Sequence, residues 1–310
     1  MFSFSVIALL APGQGSQTPG MLAPWLELEG ARERLESWSH ASGLDLVRLG
    51  TEADADEIAD TAVTQPLVVA AALLAYEEIR SRGLAPSSAV VAGHSVGELA
   101  AAAVAGVLTS EQAVTLAAIR GAEMAKACAL TPTGMSALLG GDEAEVLARL
   151  DELGLIPANR NAVGQIVAAG PLDALEALAA EPPAKTRVRA LKVAGAFHTA
   201  FMQPAQDAVT AAAAKITPAE PELTLLSNSD GQPVTSGADT LAKIAAQVTR
   251  PVRWDLCSQA MRDASVTTVA ELPPAGTLAG IAKRELPGTT ILALKTPDNL
   301  TALAELAGSV

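Results

Sequence analysis

The segment from residue 89 to residue 107 limits the possible folds of this chain more than any other stretch. Residues 89–92 are apolar and small or β-branched, Gly93-His94-Ser95-Val96-Gly97 follows, and the alanine-rich run from Leu99 to Val107 predicts a helix. A strand that turns into a helix through Gly-x-Ser-x-Gly is typical of a nucleophile elbow, with the serine at the tip of the turn. We therefore predict that Ser95 is a nucleophile above a helix N-terminus, where negative charge is stabilised. The alternative is an ordinary glycine-rich turn in which Ser95 caps the helix.

Length, charge and hydropathy exclude several classes of protein. At 310 residues, half of them hydrophobic, the chain can hold one large α/β domain with a smaller insert. The net charge of −13 argues against a nucleic-acid partner, which selects a basic surface. No apolar run is expected to reach the length needed to span a membrane, and the apolar start, Met1 to Leu10, lacks the basic residues and cleavage site of a signal peptide. We expect a cytoplasmic protein that does not associate with membranes.

Strands alternate with helices along most of the chain, which predicts an α/β fold with a mostly parallel sheet covered on both faces. For residues 1–130 and 196–310 we predict one large, α/β-hydrolase-like catalytic domain. Its strands are expected at 3–10, 88–92, 223–227, 266–271 and 290–294. Its helices are expected at 22–41, 64–82, 99–106, 111–129, 200–215, 241–248, 255–263 and 277–286.

A change of pattern between residues 131 and 195 indicates a small domain inserted into the large one. The order of elements there is β-α-β-β-α-β, which is typical of a ferredoxin-like fold. The strands are expected at 134–139, 155–159, 165–169 and 185–193, and the helices at 142–153 and 171–180. Short segments at 131–134 and 194–195, each with a glycine, are expected to act as hinges.

A serine hydroxyl is a weak nucleophile near neutral pH and needs a base beside it. The chain has three histidines. His40 lies at the polar end of a predicted helix, and His94 adjoins Ser95 with its side chain expected to point away along the elbow. His198 follows a strand, precedes a helix and comes after the serine, as in hydrolase-type folds. We therefore predict that His198 is the base.

No acidic residue is marked as the third member of a triad. Asp207, Asp230 and Asp255 are candidates without a distinctive setting, and a backbone carbonyl or an amide side chain could orient the imidazole instead. The oxyanion is predicted to accept the backbone N–H of Val96 and a second N–H from the Gly13-Gln14-Gly15 loop after the first strand. The alternative for this loop is a plain turn.

Arg120 lies among Ala, Ile and Gly residues of a predicted helix. From spacing alone it is either a charge on the helix surface or a guanidinium that binds a carboxylate in bidentate geometry. No metal site competes with these assignments, because Cys128 and Cys257 lie far apart and in no metal-like spacing. We expect both cysteines to be reduced thiols.

Taken together, these motifs resemble those of the malonyl-CoA:acyl carrier protein transacylases of type II fatty-acid and polyketide synthesis. The resemblance covers nearly the whole chain, and its fold is hydrolase-like in the large domain and ferredoxin-like in the small one. It rests on Pro12-Gly13-Gln14-Gly15-Ser16-Gln17, Gly93 to Glu98, Arg120-Gly121, Asn161 to Gln165, Ala196-Phe197-His198 and Gln247 to Trp254.

The resemblance implies a role for each catalytic residue that matches. Ser95 is acylated and His198 is the general base. The main-chain carbonyl of Gln247 orients His198 in place of an acid. Gln14 and Val96 supply the N–H groups of the oxyanion hole.

The resemblance also implies how the acyl group is recognised. Arg120 pairs with the free carboxylate of a malonyl group, which decides between the two interpretations of Arg120 given above. Phe197 precedes the base and leaves less room for an α-methyl group, so it favours malonyl over methylmalonyl by about 1–3 kcal/mol. His94 is implied as a supporting residue of the site.

The implied reaction is ping-pong transfer of malonyl from malonyl-CoA to the phosphopantetheine thiol of holo acyl carrier protein, without a cofactor or metal. Nothing in the sequence suggests more than a monomer. The carrier protein could belong to fatty-acid synthesis, polyketide synthesis or both. A thioesterase or esterase is one alternative, against which Arg120 and the lack of an acidic third member argue. A catalytically dead scaffold for carrier protein is another, against which the intact set of Ser95, His198 and Arg120 argues.

The resemblance does not determine two features of the chain, namely the shape of one loop and the surface that receives carrier protein. Residues 271–276 read Glu-Leu-Pro-Pro-Ala-Gly where many relatives have a Gly-Pro-Gly type of turn, so the shape of this loop is open. Carrier proteins are acidic, so a local basic cluster must receive them on this acidic chain. The candidates, which are otherwise ordinary solvated charges, are Lys185, Arg187, Arg189, Lys283 and Arg284.

Overall fold

A computed structural model of the chain describes residues 6–307. Their strands are β1 (Ile7–Ala11), β2 (Val90–Gly93), β3 (Thr133–Gly140), β4 (Ile156–Ala162), β5 (Gln165–Pro171), β6 (Thr186–Ala190), β7 (Thr224–Leu225), β8 (Thr268–Glu271) and β9 (Thr290–Ala293). Their α-helices are α1 (Ala31–Ser42), α2 (Leu46–Thr51), α3 (Thr61–Ser81), α4 (Gly97–Val104), α5 (Ser110–Cys128), α6 (Glu143–Glu152), α7 (Leu172–Ala180), α8 (Gln203–Ala213), α9 (Gly237–Gln247), α10 (Trp254–Asp263), α11 (Thr277–Glu285) and α12 (Leu300–Ala307).

The larger sheet has the strand order β7-β2-β1-β8-β9, and every pair of neighbours is parallel. β1 lies in the middle and is buried on both faces, as expected for a strand made only of Ile, Ala and Leu. Because parallel strands end at the same edge, the loops that follow β1 and β2 lie side by side. The predicted α/β class and mostly parallel sheet are confirmed.

Residues 133–190 form a separate antiparallel sheet with the strand order β4-β5-β3-β6. Helices α6 and α7 pack against it through an apolar cluster that includes Leu138, Leu150 and Leu178. This order is that of a ferredoxin-like fold, in which the first and third strands are central, so the predicted class of the small domain is confirmed. The boundaries at residues 131 and 195 stay a prediction.

Main-chain hydrogen bonds join the two sheets, in addition to the chain segments that connect them. Val252, in the loop before α10, donates its N–H to the carbonyl of Ala158 (2.8 Å) and accepts the N–H of Arg160 (2.9 Å). The loop thereby adds a short parallel bridge to β4, which is an edge strand of the small sheet. This bridge fixes β4 beside the elbow.

One expectation about hydropathy is wrong. Helix α3 is 21 residues long and apolar enough to cross a membrane by length and composition. However, 78% of its most apolar window is buried inside the protein, where the helix packs against α5. Such burial favours a core helix over a membrane span.

Several predicted bounds are also corrected. The predicted helix 22–41 is interrupted, because Gly30 adopts a left-handed conformation (φ 72°) that separates a 3₁₀ turn at Trp25–Glu27 from α1. Helix α3 begins at Thr61, capped by the Asp60 carboxylate, so Pro66 lies inside the helix and not in its first turn. Short α2 and α12 were not predicted, and β7 has only two residues. The predicted strand 3–10 begins outside the described residues.

Candidate active site

The turn at Ser95 is tight, and it is possible only because glycines lie on both sides of it. Ser95 lies between β2 and α4 with φ of 54°, a left-handed conformation that non-glycine residues adopt only when the surroundings enforce it. A Cβ on Gly93 would overlap the carbonyl of Gly97, and one on Gly97 would overlap the carbonyl of Ala11. Both positions therefore require glycine, and the turn exposes the Ser95 hydroxyl at the edge where β1 also ends.

Ser95, His198 and Gln247 form a continuous hydrogen-bonded chain. Ser95 Oγ lies 2.8 Å from Nε2 of His198, and Nδ1 of His198 lies 2.8 Å from the main-chain oxygen of Gln247. Since a carbonyl oxygen can only accept, Nδ1 carries the proton and Nε2 faces the hydroxyl with a lone pair. Burial, reinforced by the charge of Arg120, lowers the pKa of His198 to about 3, which keeps the imidazole neutral.

The three aspartates considered as triad members are engaged elsewhere. Asp207 accepts from Gln203, Asp230 lies beside Lys243, and Asp255 pairs with Arg253. The orienting group next to the imidazole is therefore the main-chain carbonyl.

Arg120 is fully buried, with 1% of its surface exposed, so the interpretation of it as a surface charge is wrong. Nη1 donates to Oε1 of Gln65 (2.6 Å), and Nη2 donates to Oε1 of Gln247 (2.9 Å). Nη2 also lies 3.4 Å from Ser95 Oγ. Among the described residues, Nε has no acceptor. Burial lowers the pKa of Arg120 to about 10, so the guanidinium remains a cation at neutral pH.

Two main-chain N–H groups are available near the nucleophile. Val96 N precedes the first turn of α4, and Gln14 N lies in the loop that follows β1. Within residues 6–307 neither N–H has a hydrogen-bond partner. The Gln14 loop packs against the elbow, because His94 donates its N–H to the carbonyl of Ala11 (3.0 Å). The side chain of Gln14 bonds to Thr61 and leaves the main chain free.

His94 connects the elbow to the small sheet. Its Nε2 lies 2.8 Å from Oδ1 of Asn161 on β4, and its ring contacts Trp254 edge-on with centroids 5.5 Å apart. Burial lowers the pKa of His94, so it serves as a neutral bridge between the two domains. His40 lies exposed on α1, outside the site.

A cleft between the two sheets opens onto Ser95. Phe197 lines it beside the imidazole with 7% of its surface exposed. The other apolar lining residues are Met124, Met135, Val167, Leu191, Val193, Leu278 and Ile281. Among the described residues no cluster of His, Cys, Asp and Glu has the composition of a metal site.

Sequence comparisons with known proteins identify the family to which this site belongs. A model of the acyl transferase domain matches residues 9–294. The malonyl CoA-acyl carrier protein transacylase of Mycobacterium tuberculosis is 63% identical over 302 residues, which are 97% of this chain and 100% of that protein. The protein of the same name from Escherichia coli strain K12 is 33% identical over 306 residues, 96% of this chain and 99% of that one. The chain belongs to the malonyl-CoA:acyl carrier protein transacylase family.

Solved structures support the same membership for this acyltransferase. The crystal structure of MCAT from Mycobacterium tuberculosis superposes with a TM-score of 0.95 at 63% identity, over 96% of this chain and 99% of that one. A malonyl-transacylase solved in complex with its type II PKS acyl-carrier protein superposes with a TM-score of 0.89 at 29% identity, over 97% of this chain and 100% of that one. The resemblance inferred from the motifs is confirmed.

Sequence reasoning missed part of the acyltransferase site. Asn228, after β7, accepts the N–H of Ser95 through Oδ1 (2.9 Å) and donates through Nδ2 to the carbonyl of Gly93 (2.8 Å). Gln65 on α3 holds Arg120 and was also missed. Glu98 belongs to the elbow motif, where the sequence suggested only a favourable place in the helix dipole, and in the structure it accepts the N–H of Asn228 under the elbow. The one available signal for Asn228 was its place at the carboxyl end of a strand next to β2.

The loop that departs from the family pattern has a clear structural role. The carboxylate of Glu271 accepts the N–H groups of Gly276 (2.7 Å), Leu278 (3.0 Å) and Ala279 (2.8 Å). These are donors at the start of α11, so Glu271 caps that helix from the end of β8. Capping places Leu278 and Ile281 in the wall of the cleft.

The basic residues considered for docking lie on exposed surface. Lys185, Arg187 and Arg189 lie along β6 and just before it, and β6 is an edge strand of the small sheet. Leu191 and Val193, which follow them, line the cleft. On α11, Arg284 bonds to Gln165 of β5, and Lys283 is exposed.

Proposed function

We propose that this acyltransferase moves malonyl from malonyl-CoA to the phosphopantetheine thiol of holo acyl carrier protein through a malonyl ester of Ser95. The observation that carries the proposal is the buried cation of Arg120 beside the nucleophile, with Nη2 3.4 Å from Ser95 Oγ and a buried Nε–H that has no acceptor among the described residues. Burying a cation is costly unless an anion reaches it. A malonyl thioester offers a carboxylate two bonds from its reacting carbonyl, and this carboxylate can accept from Nε and Nη2 together.

In the first half-reaction Ser95 attacks the thioester carbonyl. His198 Nε2 takes the hydroxyl proton, and Nδ1–H stays bonded to the Gln247 carbonyl, which stabilises the imidazolium. The N–H groups of Val96 and Gln14 donate to the oxyanion. Collapse of the tetrahedral intermediate breaks the carbon–sulfur bond, and the sulfur of CoA leaves with the proton from His198.

The second half-reaction runs the same steps with the carrier-protein thiol as nucleophile. His198 removes the thiol proton, sulfur attacks the ester carbonyl, and the proton returns to Ser95 Oγ as the ester bond breaks. Holding the acyl group at the ester and at Arg120 favours its alignment with the incoming thiol. A neighbour that was solved with its carrier protein supports this choice of partner.

Phe197 sets the expected range of acyl groups. It is buried in the wall of the cleft that His198 also lines, and we expect it to reduce the space beside Cα of the acyl chain, where methylmalonyl carries an extra methyl group. One methyl group in a pocket changes discrimination by about 1–3 kcal/mol, so malonyl is preferred over methylmalonyl. We expect the product to serve fatty-acid synthesis, with polyketide synthesis as a second use.

The reaction as proposed uses only protein groups and the two substrates. Proton transfer, nucleophile and charge stabilisation are assigned to Ser95, His198, Arg120 and two main-chain N–H groups, so the enzyme is proposed to need no cofactor or metal. We propose a cytoplasmic monomer without nucleic-acid or membrane partners.

Intact-protein mass spectrometry tests this proposal directly. The protein is mixed with malonyl-CoA, its mass is recorded, and holo carrier protein is then added. We expect a malonyl adduct on Ser95, absent in Ser95→Ala, that carrier protein discharges much faster than water does. An adduct lost equally fast to water would indicate a thioesterase, and absence of any adduct would indicate a scaffold.

A further inference from the structure

Glu98 is a buried carboxylate that the proposed reaction does not use. It lies in the first turn of α4, three residues after the nucleophile, with 5% of its surface exposed. An acidic residue in that turn is favoured by the helix dipole, but a dipole does not require it to be buried. The charged and titratable groups around it are Arg120 of α5, Lys243 of α9 and Cys257 of α10.

Both oxygens of Glu98 accept hydrogen bonds from N–H groups. Oε1 accepts the main-chain N–H of Asn228 (2.6 Å), and Oε2 accepts the side-chain NH₂ of Gln247. Asn228 and Gln247 also bond to the main chain of the nucleophile Ser95. Asn228 Oδ1 accepts the N–H of Ser95 (2.9 Å), and Gln247 Nε2 donates to the Ser95 carbonyl (3.0 Å). Glu98 therefore contacts the two residues that fix the left-handed conformation of Ser95.

The side-chain amide of Gln247 lies between two opposite charges. Its oxygen accepts from Nη2 of Arg120 (2.9 Å), and its NH₂ group faces the Glu98 carboxylate. Guanidinium groups only donate and carboxylates only accept, so a reversed amide would place donor against donor and acceptor against acceptor. The amide thus bridges Arg120 and Glu98, and when Glu98 is ionised its orientation is favoured by both charges.

We propose that the Glu98 carboxylate is a positioning residue for acyl-group selection, because it orients the Gln247 amide so that Arg120 presents its guanidinium to a carboxylated acyl group beside Ser95. The inference rests on the proposed function and deepens it, since it names what holds the cation in place. Without the carboxylate, the NH₂ group of Gln247 keeps only neutral acceptors, the Ser95 carbonyl (3.0 Å) and Asn228 Oδ1 (3.1 Å). The amide is then held less firmly and can turn its NH₂ group toward Arg120, which displaces the guanidinium. Malonyl transfer then suffers more than acetyl transfer, which has no carboxylate to bind.

The proposal has a pH signature. Burial raises the pKa of Glu98 to about 8, against the effects of the Asn228 N–H, Arg120 and Gln247. Arg120, with a pKa of about 10, and His198, with a pKa of about 3, keep their charge states near pH 8. Burial also raises the pKa of Cys257, so its thiol stays neutral. The accepting form of Glu98 is therefore gained as the pH rises through about 8.

The experiment compares malonyl-CoA with acetyl-CoA as donors to the same holo carrier protein, as the ratio of their kcat/KM values. Ionisation of the acceptor thiol affects both reactions equally, so its effect is absent from the ratio. In wild type we expect the ratio to rise with pH, with its midpoint near pH 8 and a plateau near pH 9. In Glu98→Gln we expect it to lie about tenfold below the wild-type plateau and to be flat with pH, as one charged hydrogen bond is lost.

Two further variants separate positioning from folding. Tyr76→Phe removes a buried hydrogen bond at the other end of α4, from the Tyr76 hydroxyl to the carbonyl of Val104 (3.1 Å), and should lower the Tm without changing the ratio. Gln247→Met keeps the main-chain carbonyl for His198 but loses the amide. It should lower the ratio as Glu98→Gln does, and the double variant should fall no further.

The outcomes distinguish this inference from the function on which it rests. If wild type forms no malonyl adduct, the proposed function fails. If wild type transfers malonyl but Glu98→Gln keeps the wild-type ratio and its pH dependence, the positioning role alone is overturned. If Glu98→Gln does not fold, the pH dependence of the ratio in Gln247→Met decides: a ratio that still rises with pH as in wild type overturns the role, and a ratio that is low and flat with pH supports it.

Discussion

The guanidinium of Arg120 lies 3.4 Å from the hydroxyl oxygen of Ser95, although the two residues are 25 positions apart in the chain. Arg120 comes from the middle of α5, and Ser95 comes from the turn between β2 and α4. A fixed cation at this separation from a nucleophile distinguishes acyl groups by the charge at their far end. The elbow alone does not specify an acyl group, so we expect the choice of substrate to depend on the cation.

Removing the cation should therefore weaken the preference for malonyl over acetyl. We expect Arg120→Ala to lower kcat/KM for malonyl-CoA about 100-fold, because two charge-assisted hydrogen bonds are lost. Transfer of acetyl should rise relative to malonyl. Arg120→Lys keeps the charge without the planar fork and should give an intermediate value. Steady-state kinetics with both donors checks this, and an equal loss for the two acyl groups would mean that Arg120 is only structural.

The neutral His198 predicts an unusual pH dependence of stability. Its pKa is lowered from 6.5 to about 3 in the folded protein, so the unfolded chain takes up a proton as the pH falls below 6.5 and the folded protein does not. The stabilising contribution is complete above pH 6.5 and is lost as the pH falls towards 3. Between about pH 7.5 and pH 5, the free energy of unfolding should fall by about 2 kcal/mol more in wild type than in His198→Gln.

Urea unfolding at the two pH values measures this difference. His94 is buried and neutral in both proteins, so its effect cancels in the comparison. Parallel loss of stability in wild type and variant would contradict the lowered pKa of His198.

Local patterns predicted the elbow and both sheets, because their signals lie within short stretches of chain. Gly-x-Ser-x-Gly places Ser95 without reference to the rest of the fold, and the scarcity of histidine pointed to His198. Short elements gave weaker signals. Helix α2 has six residues and depends on Asp45 as its cap, and the two residues of β7 pair only with β2.

The parts of the site that could not be predicted depend on distant packing. Arg120 is buried because α5 packs against α3, which brings Gln65 to its guanidinium over 55 positions. Glu98 meets Asn228 and Gln247 across 130 and 149 positions. No period or local spacing encodes such contacts. The amide of Asn228 looks like any other in the sequence, and Gln247 was singled out only through the family resemblance and only for its main-chain carbonyl.

The elbow glycines should tolerate no side chain. In Gly97→Ala the new methyl group would overlap the carbonyls of Ala11 and Pro12, which belong to a backbone that cannot move aside, so we expect a loss of more than about 3 kcal/mol. Gly280 is the matched control, since it lies exposed in helix α11 with no atom within 4 Å of the corresponding methyl position. Gly280→Ala should increase stability by about 1 kcal/mol. If the urea midpoints of Gly97→Ala and Gly280→Ala changed in the same direction, the predicted overlap at Gly97 would be contradicted.

Arg187 and Arg189 should contribute to the capture of carrier protein and not to the chemistry. They lie exposed on edge strand β6, and the chain continues from them into the cleft at Leu191. We expect the double change Arg187→Glu and Arg189→Glu to raise the KM for acidic carrier protein about tenfold at low salt, and less at high salt because surface charges are screened. Acylation of Ser95 by malonyl-pantetheine, which has neither nucleotide nor protein, should not change. The matched control is the double change Arg32→Glu and Lys215→Glu, which alters the net charge by the same amount at two exposed residues that do not line the cleft. An equal rise of KM in the control would mean that only net charge matters, and no rise in the double variant would place the docking surface elsewhere.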